Sequence, residues 1–189
     1  MQIFIKGKQL AVGDTLRSHA EQTLENLVAK FFDKAIDATV ILSREAHNFR
    51  ADITMHPFRG VTVQGSGVAN NAYAAFDTAA DKIERQLRRY KGRFSDHKVR
   101  GEVVAAQYAI IAAGEEDEDV SGTEDNAPIV IAEMSADVPV CSVSGAVMRL
   151  DLANATAVLF RNSAHGRLNM VYRRSDGNIG WVDPQNNDV

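Results

Sequence analysis

Residues 71–91 read NAYAAFDTAADKIERQLRRYK, and this stretch decides the fold. Apolar side chains recur in it at steps of three and four residues, which predicts a helix with one buried stripe. The stripe consists of Tyr73, Phe76, Ala80, Ile83, Leu87 and Tyr90. At about 100° per residue, a row of cations falls on the other side of the same helix. This row, the basic ridge, consists of Lys82, Arg85, Arg89 and Arg93.

The chain before this helix predicts four strands and one further helix. Residues 2–7 alternate as a strand does, and apolar residues at helical spacing from Leu16 to Phe31 predict a helix with Asp14 as its N-cap. Three more strands are predicted at 35–43, 49–56 and 61–64. The order β-α-β-β-β-α, with both helices on one face of a four-stranded sheet, is an α+β sandwich that resembles the double-stranded-RNA-binding fold.

Charge divides the chain into two parts. Residues 1–100 carry 16 Lys and Arg against 11 Asp and Glu, whereas residues 101–189 carry 5 against 14. A basic domain is the typical electrostatic footprint of nucleic-acid binding. Seven of the thirteen residues at 114–126 are acidic and cannot build a core, so they predict a flexible linker. We therefore predict a basic domain at 1–100, an apolar extension and acidic linker at 101–127, and a second domain at 128–189.

The second domain is predicted to be small and β-rich, with one short helix. Ser142 or Ser144 is the candidate cap of a helix that ends near Leu152. Strands are predicted at 129–134, 156–161, 167–173 and 179–182. Residues 101–113 fit either a strand or a short helix. So small a domain buries little apolar surface and exposes strand edges, which favours pairing with a second copy.

Composition and motifs argue against a membrane protein and against an enzyme. The sequence has no run of about 18 apolar residues, the length of a membrane span, and the lone Cys141 fits a buried position in a reducing cytoplasm. The five histidines are scattered without partners at metal-ligand spacing. Residues 65–67, Gly-Ser-Gly, lack the rest of a phosphate loop or a nucleophile elbow and are interpreted as a turn. We expect a cytoplasmic protein with no catalytic residue, metal or cofactor.

Two segments resemble a known family. Residues 72–77 (AYAAFD) and 81–91 (DKIERQLRRYK) closely resemble the second-helix signature of bacterial ribosome hibernation promoting factors. Residues 160–162 (FRN) and 169–180 (NMVYRRSDGNIG) resemble the C-terminal domain of the long form of that family. The two segments occur in the family's order, and the resemblance covers nearly the whole chain except residues 101–127.

The resemblance implies a function in translation regulation. The N-terminal domain would occupy the decoding channel of the small ribosomal subunit, against 16S rRNA and neighbouring ribosomal proteins, and would exclude messenger and transfer RNA. The C-terminal domain would form a homodimer with its copy on a second ribosome. The protein would thus act, without catalysis, in ribosome hibernation under stress or in stationary phase.

The candidate site residues follow from charge and from the resemblance together. Guanidinium and ammonium groups suit phosphate, which gives a candidate RNA-binding set. This set is Lys82, Arg85, Arg88, Arg89, Lys91 and Arg93 on the long helix, with Lys6, Lys8 and Arg50 elsewhere in the domain. The candidate dimer contacts, which the resemblance implies, are Val158, Phe160, Met170 and Tyr172.

Other interpretations stay open at this point. Cations near a helix C-terminus also complement the helix dipole and keep a surface soluble, so charge alone does not establish an RNA site. A second hypothesis is a free RNA-binding regulator that represses particular messages and does not act on whole ribosomes. A third, an enzyme acting on a small molecule at the domain junction, has only the unexplained residues 101–113 in its favour.

Overall fold

The computed structural model of the chain describes residues 1–32, 35–94, 102–111 and 130–185. The N-terminal elements are β1 (Gln2–Lys8), α1 (Asp14–Phe31), β2 (Asp37–Glu45), β3 (Asn48–Phe58), β4 (Val61–Ala69) and α2 (Ala72–Phe94). They build a four-stranded sheet in the order β1-β2-β3-β4, with β1 parallel to β2 and the other pairs antiparallel. The predicted β-α-β-β-β-α order is confirmed.

The period of each element determines which side chains reach the core. Alternate residues of the central strands, such as Val40 and Ile53, are buried because both helices cover that face of the sheet. Leu24 of α1 and Ile83 and Leu87 of α2 meet them in one cluster. Each such fully buried side chain contributes about 1.5–3 kcal/mol of hydrophobic stabilisation. Among the described residues, no helix packs on the opposite face of the sheet.

The prediction of a turn at residues 65–67 is wrong, because these residues lie inside β4. A Cβ atom on Gly67 would be 2.2 Å from the carbonyl oxygen of Ala75, and one on Gly65 would be 2.7 Å from that of Ala79. The glycines therefore let the backbone of α2 lie directly on the strand. Glycine is required here for close packing and not for a change of chain direction.

The N-cap of α1 is Gly13, not Asp14 as predicted. Gly13 has an extended backbone and no side-chain cap hydrogen bond, whereas Asp14 is the first helical residue. A carboxylate in the first turn still stabilises the helix, through the dipole and not through a cap. The predicted helix therefore begins at the expected place for a different physical reason.

The C-terminal elements are β5 (Val103–Ile111), β6 (Val130–Cys141), α3 (Val143–Leu152), β7 (Ala157–Asn162), β8 (Leu168–Arg173) and β9 (Ile179–Val182). They form a five-stranded sheet in the order β5-β6-β7-β8-β9. Ser142 is the cap of α3, since its Oγ accepts a hydrogen bond from the amide of Gly145 at 3.2 Å. The prediction of a small β-rich domain with one helix is confirmed.

Residues 103–111, which the sequence left open between strand and helix, form β5. This strand pairs with β6 along its whole length, from Val103 opposite Pro139 to Ile111 opposite Val130. The apolar extension thus belongs to the second sheet by hydrogen bonding. The predicted acidic linker at 114–126 lies outside the described residues, and the predicted domain boundaries stay a prediction.

We predict that Gly67→Ala lowers the free energy of unfolding by about 1–3 kcal/mol, because its new methyl group would overlap the backbone of α2. Urea unfolding of both proteins measures this loss. Gly92→Ala is the matched control, since a Cβ there meets no atom within 4 Å, and within α2 it should raise stability by about 0.5–1 kcal/mol. Equal stability of Gly67→Ala and the wild type would contradict the close-packing account.

Candidate nucleic-acid interface

The packing of α2 places the basic ridge on the outside of the N-terminal domain. Ile83 and Leu87 are fully buried, so positions on the other side of the helix must face solvent. Lys82, Arg85 and Arg89 are exposed there. Arg93 follows in the same row of the helix, and its side chain lies outside the described residues. The ridge is a consequence of how α2 is buried.

The described ridge cations make few contacts with the rest of the protein. Lys82 Nζ donates to the carbonyl oxygen of Ser66 at 2.6 Å, which holds it over the edge of β4. Arg85 Nε donates to a carbonyl within its own helix at 3.2 Å. Arg89 is 66% exposed and lies 4.0 Å from a carboxylate oxygen of Asp151. These charges remain accessible to a ligand that carries phosphates.

Arg88 and Lys91 lie on the flank of α2 that faces α1 and are separated from the ridge. Arg88 forms an ion pair with Glu84, and Lys30 of α1 binds the same carboxylate. Hydrogen bonds from Lys30 and then from Arg88 hold the pKa of Glu84 below its ordinary value. Lys91 Nζ lies 5.9 Å from the centroid of the Phe31 ring. These two candidates therefore also help to fasten α2 to α1.

The remaining RNA-binding candidates lie on the sheet face opposite α1 and α2. Arg50 pairs with Asp52, with Nε 2.8 Å from Oδ2, and this contact raises the pKa of the guanidinium. An open groove of about 510 Å³ is lined by both Arg50 and Lys82, so the structure brings these two together. Lys6 and Lys8 are exposed on β1, at the opposite edge of the sheet from β4. The nine predicted cations thus do not form one patch.

Sequence reasoning missed an acidic residue from the second domain beside the ridge. Asp151, near the end of α3, accepts a hydrogen bond from the Tyr90 hydroxyl, and its carbonyl oxygen lies 3.5 Å from Gln86 Nε2. Burial, followed by this hydrogen bond, raises the pKa of Tyr90. Asp151 is 61 residues away from Tyr90 along the chain, and no local pattern could have paired them.

The four predicted dimer contacts divide between the two faces of the C-terminal sheet. Val158 and Phe160 point toward α3, and Phe160 is fully buried in the core of its own domain. Phe160 therefore stabilises the domain from inside the single chain, and its role as a dimer contact stays a prediction. Met170 and Tyr172 lie on the other side of the sheet. The large apolar side chains of this outer face are Leu159, Leu168, Met170, Tyr172 and Val182, and Ala157 and Arg161 of β7 lie on the same face.

Neither a metal cluster nor a membrane-spanning helix is found in the part of the chain that the structure describes. Over residues 1–32, 35–94, 102–111 and 130–185, no group of three His, Cys, Asp or Glu side chains could hold a metal ion. In the same ranges, no helix has the length and apolar character needed to cross a membrane. The single Cys141 is buried, and burial raises the pKa of its thiol. The exposed cations are the feature of this domain that suits a ligand.

The fold and its surface define a class of protein: an α+β domain with a one-sided cationic helix, followed by a small β-rich domain. Comparison with known proteins identifies the family. Residues 3–95 match the family described as Sigma 54 modulation protein / S30EA ribosomal protein, and residues 125–180 match its C-terminal counterpart, Sigma 54 modulation/S30EA ribosomal protein C terminus. The chain belongs to the family of long-form ribosome hibernation promotion factors.

Relatives over the full length are consistent with this assignment. The chain is 39% identical to the ribosome hibernation promotion factor of Bradyrhizobium diazoefficiens, over 97% of this chain and 95% of that protein. It is 36% identical to the factor of the same name from Rhizobium meliloti, over 98% of each chain. The corresponding protein of Lactococcus lactis is 25% identical, over 96% of this chain and 97% of that protein.

We predict that Glu84→Gln lowers the free energy of unfolding at pH 7 by up to about 1 kcal/mol, because Lys30 and Arg88 lose their shared carboxylate. The folded-state pKa of Glu84 is depressed, so its contribution is present above the unfolded pKa of about 4.3 and is lost as pH falls through the lower folded value. The difference in urea midpoint between variant and wild type should therefore be smaller at pH 3 than at pH 7. Glu25→Gln, on the exposed side of α1, is the control. An equal loss of stability in this control would contradict the role of the Glu84 carboxylate that Lys30 and Arg88 share.

Proposed function

We propose that this protein binds the decoding channel of the small ribosomal subunit through the basic ridge and keeps the ribosome inactive by excluding messenger and transfer RNA. The observation that carries the proposal is the exposed row of Lys82, Arg85 and Arg89 on a helix whose other side is fully buried. Its full-length relatives are named ribosome hibernation promotion factors, which supports the same target.

The chemistry of the ridge suits backbone recognition. Arginine presents several N–H donors in a plane that matches two phosphate oxygens, and lysine adds a mobile point charge. Such contacts fix the position of a protein on RNA without reading bases. Because α2 is held rigidly on the sheet, the spacing of the cations is set before RNA arrives. Binding through this ridge would follow the shape of a folded ribosomal RNA and would weaken steeply as salt rises.

The outer face of the C-terminal sheet is proposed to join two copies of the protein, each on its own ribosome. Leu159 and Leu168 are 48% and 47% exposed, Val182 is 41% exposed, and Met170 is 36% exposed. The ring of Tyr172 lies over Gly180, where a Cβ would be 2.4 Å from it. Contiguous apolar side chains on an exposed sheet face mark an interaction site in a soluble domain. In this arrangement Val158 and Phe160 support the face from beneath.

We predict that Lys82→Glu/Arg85→Glu weakens binding to vacant small subunits at least tenfold at physiological salt, because two phosphate contacts become repulsive. Filter binding across a salt series measures the affinity and the slope of its logarithm against the logarithm of the salt concentration. That slope should become shallower by the amount that corresponds to about two lost phosphate contacts. The charge-matched control Arg17→Glu/Arg44→Glu, away from the ridge, should bind nearly as well as the wild type. Equal losses in both variants would show that net charge and not the ridge decides binding.

The same assay separates ribosome binding from the action of a free RNA regulator. The proposal expects intact small subunits to bind more tightly than isolated RNA hairpins of similar phosphate content. Tighter binding to the hairpins would instead favour a regulator of individual messages.

We predict that Met170→Glu abolishes the pairing of ribosomes while leaving the protein bound to single ribosomes, because a carboxylate on the outer face would be desolvated in a dimer. Sucrose-gradient sedimentation with detection of the protein in each fraction measures both effects. Ser163→Glu, in the exposed turn between β7 and β8, adds the same charge outside the outer face and should preserve pairing. Pairing by Met170→Glu at the wild-type level would contradict the proposed interface.

A further inference from the structure

The two domains are in contact through α3, which is buried on two sides. Met148 and Leu152 are fully buried in the core of the N-terminal domain. Ala146 and Leu150, on the same helix, are fully buried in the core of the C-terminal domain. The C-terminal domain therefore has a core of its own and uses a separate stripe of α3 to dock onto its neighbour.

Polar contacts fix the geometry of this docking. Arg59, in the turn between β3 and β4, donates from Nε and Nη2 to the two carboxylate oxygens of Asp137 at 2.8 and 3.0 Å. Arg149 of α3 is only 5% exposed and donates from Nε to the carbonyl oxygen of Gly60 at 3.1 Å. Burial lowers the pKa of this guanidinium. Two-pronged and buried contacts of this kind specify one orientation of the domains.

The docked domain brings negative charge to the border of the basic ridge. The Asp151 carboxylate pairs with Arg173 of its own domain at 2.9 Å, lies 4.0 Å from Arg89, and accepts a hydrogen bond from Tyr90, the residue next to Arg89 on α2. Asn154, just beyond α3, lines the same groove as Lys82 and Arg50. An RNA backbone lying along the ridge would meet Asp151 and the loop after α3 directly. Phosphates and this carboxylate compete for the same cation.

We propose that the docked C-terminal domain is an intramolecular competitor of RNA. Asp151 takes, at Arg89, the place that a phosphate would take, Asp137 holds the docked position through Arg59, and docking of α3 on the N-terminal domain weakens ribosome binding. By linkage, whatever displaces α3 strengthens RNA binding, and RNA in turn displaces α3 by the same factor. This inference rests on the proposed function, because it assumes that the ridge binds ribosomal RNA.

Docking and dimerisation are separate in this structure. The outer face of the C-terminal sheet is exposed while α3 is docked, since Leu159 and Met170 face away from α3. Two free copies could therefore pair without undocking. The competition concerns the ribosome alone, which allows the two properties to be tested independently.

The decisive experiment changes the docking contact without changing the ridge. Asp137→Arg should repel Arg59, loosen the docking and tighten binding to vacant small subunits by up to about fivefold, the range of an exposed ion pair. Asp176→Arg makes the same change of charge in the turn before β9 and should leave docking unchanged, with a smaller change in affinity. Adding Arg59→Asp to Asp137→Arg restores the pair with reversed polarity and should restore the docking.

Docking is read by small-angle scattering and by hydrogen exchange of residues 86–90, and affinity by filter binding. Met148→Asp is the stronger variant, because it removes the docking stripe without touching the core of the C-terminal domain, and it should give a larger radius of gyration and still tighter binding. Undocked variants that bind no more tightly than Asp176→Arg would overturn the competition. A wild-type chain whose residues 86–90 exchange as fast as those of Met148→Asp would overturn the docking itself.

The ridge variant keeps the two proposals apart. In the Met148→Asp background, Lys82→Glu/Arg85→Glu should still lose ribosome binding if the proposed function is right. If wild type, Met148→Asp and the ridge variant all bind ribosomes equally, the proposed function fails; if only the effect of undocking is missing, the competition alone fails.

Discussion

The direct contact between the backbone of α2 and strand β4 is the constraint on which the rest of the structure depends. Gly65 and Gly67 leave no side chain between helix and strand, so the apolar stripe of α2 is buried against the sheet from Phe76 to Leu87, whereas Tyr73 at its start is 40% exposed. A helix held this tightly has no freedom to roll, and the cations on its other side are fixed in a row. Lys82 extends that row to the edge of β4. The cations on the exposed side of α2 keep a defined spacing only because the buried side of the helix is so closely packed.

A second constraint is the small size of the C-terminal domain. A domain with so little core gains stability by sharing α3 with a larger neighbour, and Met148 and Leu152 are buried in this way. The same docking holds Asp137 against Arg59 and Asp151 against the end of the ridge. The stability of the free protein and access to its basic ridge are therefore linked. The same helix, α3, completes the core of the C-terminal domain and covers part of the N-terminal domain next to the ridge.

The sequence was most informative where a pattern is local. The apolar stripe and the basic ridge of α2 were predictable because both depend only on the helical period of one segment. Ser142 was predictable as a cap because it directly precedes α3. The prediction of a turn at Gly65 and Gly67 was wrong because a strand closely packed by a helix and a change of chain direction both require glycine. The burial of Phe160 against α3 was not predictable, because alternation shows that a strand has two faces but not which one α3 covers. The contact of Asp151 with α2 could not be found at all, since its partners Tyr90 and Arg89 on that helix lie 61 and 62 residues away.

The proposed function requires the chain to recognise the ribosome with its N-terminal domain and to join ribosomes with its C-terminal domain. Sedimentation of purified wild-type protein with vacant bacterial ribosomes through a sucrose gradient tests it most directly. The account predicts a peak of paired ribosomes that contains the protein. Protein that remains at the top of the gradient, with ribosomes unchanged, would contradict it.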